Sequence, residues 1–340
     1  MKTIHDLQTP ALLVERRLFE DNLATMATAL PGRRLRPHVK AHKSTDLARH
    51  QAAAGHEAFT CATIREVEGM AAAGLGADLL LANEVLDMSR LAAVAASGAR
   101  ITVAVDSDAI VDAAARAGIG EVVIDVNVGL PRCGCAPEDA GRLADQARQR
   151  GLTVRGVMGY EGHAMVIPDL DERRRVVAEC MDKLVAAHDA VGGDIVSAGG
   201  TGTYALNTWA NEIQAGSYAL MDTAYGALPD LPFGPALSVL GTVISTTGPA
   251  NGIPGWAVAD VGLKSLGMDH GNPTIPGGVV WFCSDEHTTW QPDDDANVRV
   301  GDKVRVLPAH VDPTVALHER MHVVDGDEVV EVLDVDLRGW

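Results

Sequence analysis

Residues 101–126, ITVAVDSDAIVDAAARAGIGEVVIDV, decide how this chain folds. A run of β-favouring residues (101–105) leads into an Ala-rich amphipathic stretch (108–117) and then into a second β-favouring run (121–126). Strand, helix, strand in so short a space reads as a βα unit of a parallel sheet. The same alternation extends in both directions. Candidate strands fall at 35–40, 58–61, 78–81, 101–105, 121–126, 154–158, 194–197 and 216–221. Helix-like stretches lie between them at 45–54, 64–73, 86–97, 108–117, 137–150 and 169–191, with 16–30 as the first helix. Eight strands separated by helices predict an α/β fold, a (β/α)8 TIM barrel, with its least regular connection around 207–212. After Leu231 the texture changes: Pro and Gly become frequent and Val-rich alternating runs replace helical periodicity. Strands are expected there at 237–245, 256–261, 279–283, 303–307 and 328–337. Residues 1–14 also read as strand, so the N-terminus is expected to pair with this C-terminal part. The predicted organisation is a barrel over 15–230 and a β-rich domain made of 1–14 and 231–340.

Composition narrows the function. The 340 residues are 47% hydrophobic, 22% charged and 4% aromatic, which suits a globular chain rather than a disordered or collagen-like one. Lys and Arg number 28 against 46 Asp and Glu, a net charge of −18 that repels polyanions, so nucleic acid is not an expected partner. Five scattered cysteines fit reduced thiols better than a disulfide framework, and Cys133-x-Cys135 is a poor zinc motif by itself. Neither a secretion signal nor a membrane span of ~18 apolar residues is visible, which leads to the expectation of a cytoplasmic protein without a membrane partner.

Three features carry chemistry. In the stretch Arg36-Pro37-His38-Val39-Lys40-Ala41-His42-Lys43, period-two alternation puts His38, Lys40 and His42 on one side of the first barrel strand. A lysine desolvated among other cations has a lowered pKa and becomes a nucleophile toward aldehydes. A solvated basic cluster is the plain alternative. Ser197-Ala198-Gly199-Gly200-Thr201-Gly202-Thr203-Tyr204 follows the seventh strand, where this fold commonly binds phosphate, although a tight loop explains the glycines equally well. Gly216-Ser217 is a second such place. A nucleophilic lysine and a phosphate loop on one barrel face together point to pyridoxal phosphate. Finally, His310-x-Asp312 offers an imidazole and a carboxylate to a divalent ion, or is simply a structural histidine near a turn.

Six stretches in order, RPHVKAHK (36–43), DVNVGLPRCG (125–134), GYEGH (159–163), SAGGTGTY (197–204), EIQAGSYALMD (212–222) and PAHVD (308–312), resemble the D-threonine aldolase and D-serine dehydratase family of fold-type III, alanine-racemase-like enzymes. The resemblance spans nearly the whole chain. It implies that Lys40 carries pyridoxal phosphate covalently, that Arg132 hydrogen-bonds its phenolic oxygen and that Tyr160 flanks its ring. Thr201, Gly202 and Thr203, with Gly216 and Ser217, would cradle the phosphate. Gln214 would face the pyridine nitrogen, a neutral group where alanine racemases place arginine. His310 and Asp312 would hold the metal, Mn2+ or Mg2+ with Zn2+ as a third candidate, and His163 would take the proton of the substrate hydroxyl.

The dehydratase branch has His-x-Cys, so Asp312 resembles the aldolase branch. The implied activity is cleavage of D-threonine and related D-β-hydroxy-α-amino acids to glycine and an aldehyde, by a lyase. The alternative is a dehydratase of D-serine or 3-hydroxy-D-aspartate. A homodimer with active sites at the subunit interface is expected from the family. Residues 284–290 depart from the family's acidic-His loop, continuing with Thr288 and Thr289 where a glycine-containing stretch is expected.

Overall fold

In the computed structural model, which describes residues 2–249 and 252–340, the stretch that opens the sequence reading folds as read. Strand β1 (Ala11–Glu15) and helix α1 (Arg16–Ala29) come first. The chain then alternates α2 (Thr45–Ala53), β2 (Phe59–Cys61), α3 (Ile64–Ala72), β3 (Leu79–Leu81), α4 (Ser89–Ala96), β4 (Ile101–Val105), α5 (Asp108–Ala117) and β5 (Glu121–Asp125). It continues with α6 (Ala140–Gln149), β6 (Thr153–Met158), α7 (Leu170–Val191), β7 (Ile195–Ala198) and β8 (Glu212–Ile213). Gly118, left-handed at φ 74°, ends α5 as only glycine does without strain. All five residues of β4 are buried, which is why the strand reads as an unbroken apolar run.

Strands β2 to β8 pair in chain order, all parallel, in one seven-stranded sheet. Two isolated parallel bridges, Leu35↔Ile213 and His38↔Thr60, tie residues 35–38 to both edge strands. Arg36 N–H donates to the Ile213 carbonyl at 2.9 Å and Thr60 N–H to the Pro37 carbonyl at 2.9 Å. The predicted first strand therefore closes the ring, but as a stave too irregular for a full ladder, since Pro37 has no N–H to give. At the N-terminal ends of the strands, buried Arg36 donates to Glu212 (2.9 Å) and Asp78 (3.1 Å), and Arg155 reaches Asp194 (3.0 Å). Burial alone would raise the Asp78 carboxyl, yet Arg36, Arg155 and Arg100 outweigh it and hold Asp78 below the ordinary range.

Two expectations at the strand ends need correction. Lys40 does not continue the strand: Val39–Ala41 is a 3-10 turn, so the two-residue alternation stops at His38. Its break coincides with the Lys40 N–H donating to Nδ1 of the His38 ring at 3.5 Å. The eighth strand is β8 at Glu212–Ile213, while Ser217–Ala219, inside the predicted strand 216–221, forms another 3-10 turn. That stretch is apolar because it is buried, not because it is extended.

The ring belongs to a unit comprising Ala24–Lys40, Thr45–Gly216 and Leu337–Trp340. The other unit takes in the chain up to Leu23, Ala41–Ser44 and Ser217–Asp336. It contains α8 (Thr223–Gly226), β9 (Leu237–Thr247), β10 (Trp256–Ala259), β11 (Gly278–Cys283), β12 (Thr288–Pro292), β13 (Lys303–Val306), α9 (Val311–Ala316), β14 (Arg320–Asp325) and β15 (Glu328–Asp334). The strand order is β11-β12-β10-β9-β1-β14-β15, with β13 also on β9. As expected for the N-terminal run, β1 pairs here, antiparallel to β9 and parallel to β14. The loop read at 284–290 ends at His287, and β12 begins at Thr288. Among the described residues, no helix is long and apolar enough to cross a membrane.

Candidate active site

In the barrel unit, the residues expected to do chemistry stand where the strands end. Lys40 follows the closing stave, Tyr160 follows β6, Gly199–Thr203 follow β7 and Gln214 follows β8. The C-terminal ends of the strands are the working face of this architecture. Lys40 is half-buried, which limits the hydration of its amine. Gln214 is oriented by its Nε2 donating to Ser197 Oγ at 2.9 Å. The Arg132 guanidinium lies 5.3 Å from the centroid of the Tyr160 ring, a cation–π contact that joins two of the expected cofactor residues. The turn before Arg132 is fixed by Asn127, whose Nδ2 donates to the Leu130 carbonyl at 2.9 Å and whose Oδ1 accepts from Gly129 N–H at 3.0 Å.

The loop after β7 has a partner that the sequence reading missed. Glu161, fully buried, accepts from Gly199 N–H (3.1 Å), the Thr203 hydroxyl (2.9 Å) and Asn207 Nδ2 (3.1 Å). Contact requires glycine at 202, where a Cβ would sit 1.9 Å from the Met165 carbonyl oxygen, whereas a Cβ on Gly200 would press only on the flexible thioether end of Met165, at 2.8 Å. Thr201 and Thr203 are buried as well. The signal for Glu161 was its place inside GYEGH, a carboxylate between two residues already assigned to the site.

Beside Arg132 lies a carboxyl that sequence reading also passed over. Burial, then the charge and hydrogen bond of Glu84, push Asp125 well above the ordinary aspartate range. The hydrogen bond to Glu84 raises the Cys133 thiol to about 11, and burial raises Cys135 to about 12. These are protonated thiols at neutral pH, in keeping with the weakness of C-x-C as a metal motif. His163, on the 3-10 turn Gly162–Ala164, is exposed and places Nε2 3.6 Å from Sγ of Cys180 on α7.

In the second unit, His310 stands immediately before α9 and Asp312 in its first turn. Buried Asp222 fixes this corner, accepting from Val311 N–H (3.0 Å) and from Tyr225 N–H in α8 (3.0 Å). The donor atoms that converge with His310 belong to Asp269 and His270, all within 4.8 Å of one another; Asp312 is not in this group. His310 Nδ1 lies 2.7 Å from Asp269 Oδ2, and the His310 and His270 rings stack at 4.0 Å and 5°. Burial would raise Asp269, but the hydrogen bond and charge of His310 hold it below its usual range. Sequence reading missed Asp269 and His270, whose signal was the Asp-His pair in Met268-Asp269-His270-Gly271. His287 is exposed, beside Glu286, which pairs with Lys264 at 2.6 Å. Ser217 opens the 3-10 turn Ser217–Ala219 and, like Gly216, is buried.

The residues present fit the groups that the sequence implies. A half-buried amine, a loop packed too closely for any side chain at Gly202, and an aromatic ring carrying a guanidinium suit a phosphate-bearing aromatic aldehyde. Two imidazoles and a carboxylate suit a borderline divalent ion, and a carboxylate on the far nitrogen of a ligating imidazole orients it.

Comparison with known proteins agrees with this chemistry. Residues 14–224 match the family described as "Alanine racemase, N-terminal domain", and residues 236–324 match a serine dehydratase domain family. The chain is 33% identical to a D-threonine aldolase of Arthrobacter sp. and 32% identical to a 3-hydroxy-D-aspartate aldolase of Paracoccus denitrificans (strain Pd 1222). Each match covers 98% of this chain and 93% of the relative. The crystal structure of D-threonine aldolase from Filomicrobium marinum superposes with a TM-score of 0.90 at 33% identity, covering 100% of this chain and 99% of that one. A D-threo-3-hydroxyaspartate dehydratase of Delftia sp. (strain HT23) is more distant, at 27% identity over 99% of both chains.

Proposed function

The chain belongs to the alanine-racemase-like family that includes D-threonine aldolases and D-serine dehydratases, and from that membership we propose that it is a carbon–carbon lyase acting on D-threonine and related D-β-hydroxy-α-amino acids. The products are glycine and the aldehyde. The single observation that carries this reading is similarity over 98% of the chain to two proteins named as aldolases. Asp312, a hard carboxylate where the dehydratase branch has a thiolate, favours the same side.

In this reading Lys40 holds pyridoxal phosphate. When bound, the cofactor supplies the sink for the electron pair of the breaking Cα–Cβ bond. Arg132 donates to its phenolic oxygen, Tyr160 walls its ring, and Gln214, a neutral partner, faces its nitrogen. Thr201, Gly202, Thr203, Gly216 and Ser217 cradle the phosphate. His310 holds a divalent ion, Mn2+ or Mg2+ ahead of Zn2+, with Asp312 or with the neighbouring Asp269 and His270. The ion supplies acidity to the substrate hydroxyl. His163 takes that hydroxyl proton, for which its Nε2 must leave Cys180. We further propose a homodimer with active sites at the subunit interface, and a cytoplasmic location in keeping with five free cysteines.

Incubation with D-threonine and D-serine, with and without EDTA, tests the reaction. Glycine and acetaldehyde from D-threonine, lost on chelation, are expected. A 2-oxo acid and ammonia instead would establish the dehydratase reading that the Delftia relative favours. Borohydride reduction and peptide mapping should recover the label at Lys40, and Lys40→Ala should abolish both label and turnover. A label elsewhere, or none, overturns the assignment.

A further inference from the structure

Glu161 is an expensive residue to keep. A carboxylate removed from water is tolerated only when donors replace the water it lost. Here Glu161 has 0% of its surface exposed. Among the described residues it has no ion pair; burial raises its pKa, and hydrogen bonds oppose that rise. All its side-chain partners are donors, and all come from one short stretch: Gly199 N–H, the Thr203 hydroxyl and Asn207 Nδ2. Three donors on one carboxylate fix the start, middle and end of residues 199–207 at once. Movement of the loop is restricted on one side, because Gly202 already lies against the Met165 main chain. Glu161 is also the residue after Tyr160, so the same side chain ties two strand-end loops together. Thr203 gives its hydroxyl to this contact and its N–H to the Gly200 carbonyl (3.2 Å), so it is held on both sides within the loop.

We infer that Glu161 is a positioning residue that holds the phosphate end of the cofactor site in its binding shape before the cofactor arrives. The inference rests on the reading of residues 201–203 as the phosphate cradle. It adds that the shape of the cradle is set by a buried carboxylate on the neighbouring loop.

The test titrates apo wild-type protein, Glu161→Gln, Asn207→Ala and the double variant with pyridoxal phosphate, following absorbance, and measures amide exchange in each apo form. Glutamine carries an NH2 where one carboxylate oxygen faced a donor, so Glu161→Gln should weaken cofactor affinity about tenfold or more. Asn207→Ala, which removes one donor outside the cradle together with the acceptor for Ala210 N–H, should weaken it by about threefold to tenfold. Since both act through one contact, the double variant should bind no more weakly than Glu161→Gln alone. Exchange should quicken at residues 199–203 and stay as in wild type over β4 and β5. Wild-type affinity in Glu161→Gln, multiplying effects in the double variant, or faster exchange throughout the barrel overturns the inference. If Glu161→Gln does not fold, Asn207→Ala decides, and wild-type affinity in that variant overturns it. Wild-type protein that takes up no pyridoxal phosphate overturns the parent reading as well, whereas uptake with an indifferent Glu161→Gln overturns only this one.

Discussion

Asp125 shows how far one side chain can be moved by its surroundings. It ends β5 with 5% of its surface exposed and is hydrogen-bonded to Glu84, so its ionised form lacks water and meets a second carboxyl, which the charge of Arg132 offsets only in part. Its folded pKa lies above its unfolded one. The stability it contributes is therefore fully present at pH values below the unfolded pKa and is lost as pH rises through the folded pKa. Asparagine keeps the shape, can still donate to Glu84 and never ionises. Asp125→Asn should accordingly gain more stability over wild type at pH 9 than at pH 5, where less of the penalty has accrued. Each pH unit of resisted ionisation is worth about 1.4 kcal/mol, or about 2–4 °C in Tm for a domain of this size. Calorimetry at the two pH values checks the sign, and an equal shift at both would show that the carboxyl is not penalised.

At the scale of elements, β6 carries a constraint that strand propensity does not express. Gly156 has φ +144°, and a Cβ there would lie 1.9 Å from the Ile195 carbonyl oxygen of β7. The pairing of β5 with β6 shifts register between Val122 and Ile124 at this level, so the ring bends where the glycine lets two backbones approach. Gly156→Ala must push β6 and β7 apart and should cost about 2–4 kcal/mol, seen as a lower urea midpoint with an unchanged slope. The alternation of strands and helices was visible in the sequence because burial on both faces of a parallel strand leaves a short apolar run with sharp ends. Residues 216–221 mimic that run. Only the ladder, which takes Glu212–Ile213 instead, tells an extended buried segment from a turned one.

For the molecule as a whole, the two sets of chemical groups lie in different units: Lys40 and Gly199–Gly216 in the barrel unit, Asp269, His270 and His310 in the other. A ligand that binds only the folded state should protect the residues that hold it. At a free concentration of 100 times Kd either ligand adds about 2.7 kcal/mol. Hydrogen exchange should show protection from pyridoxal phosphate at residues 35–40 and 199–216, and its loss on chelation at 268–271 and 309–313. Protection from Mn2+ confined to 311–313, with none at 268–271, would assign the ion to Asp312 without Asp269 and His270.

The sequence by itself determined the parallel ring, the β-rich remainder, the pairing of the N-terminal strand with that remainder, and the lysine at the end of the closing stave. These follow from local patterns of two and 3.6 residues and from motifs a few residues long. Only the tertiary structure decided that Asp269, 41 residues before His310, meets its imidazole, and that Glu161 collects three donors from residues 38 to 46 positions away. Such meetings depend on the path of the chain between the partners, and no periodicity within either segment encodes that path.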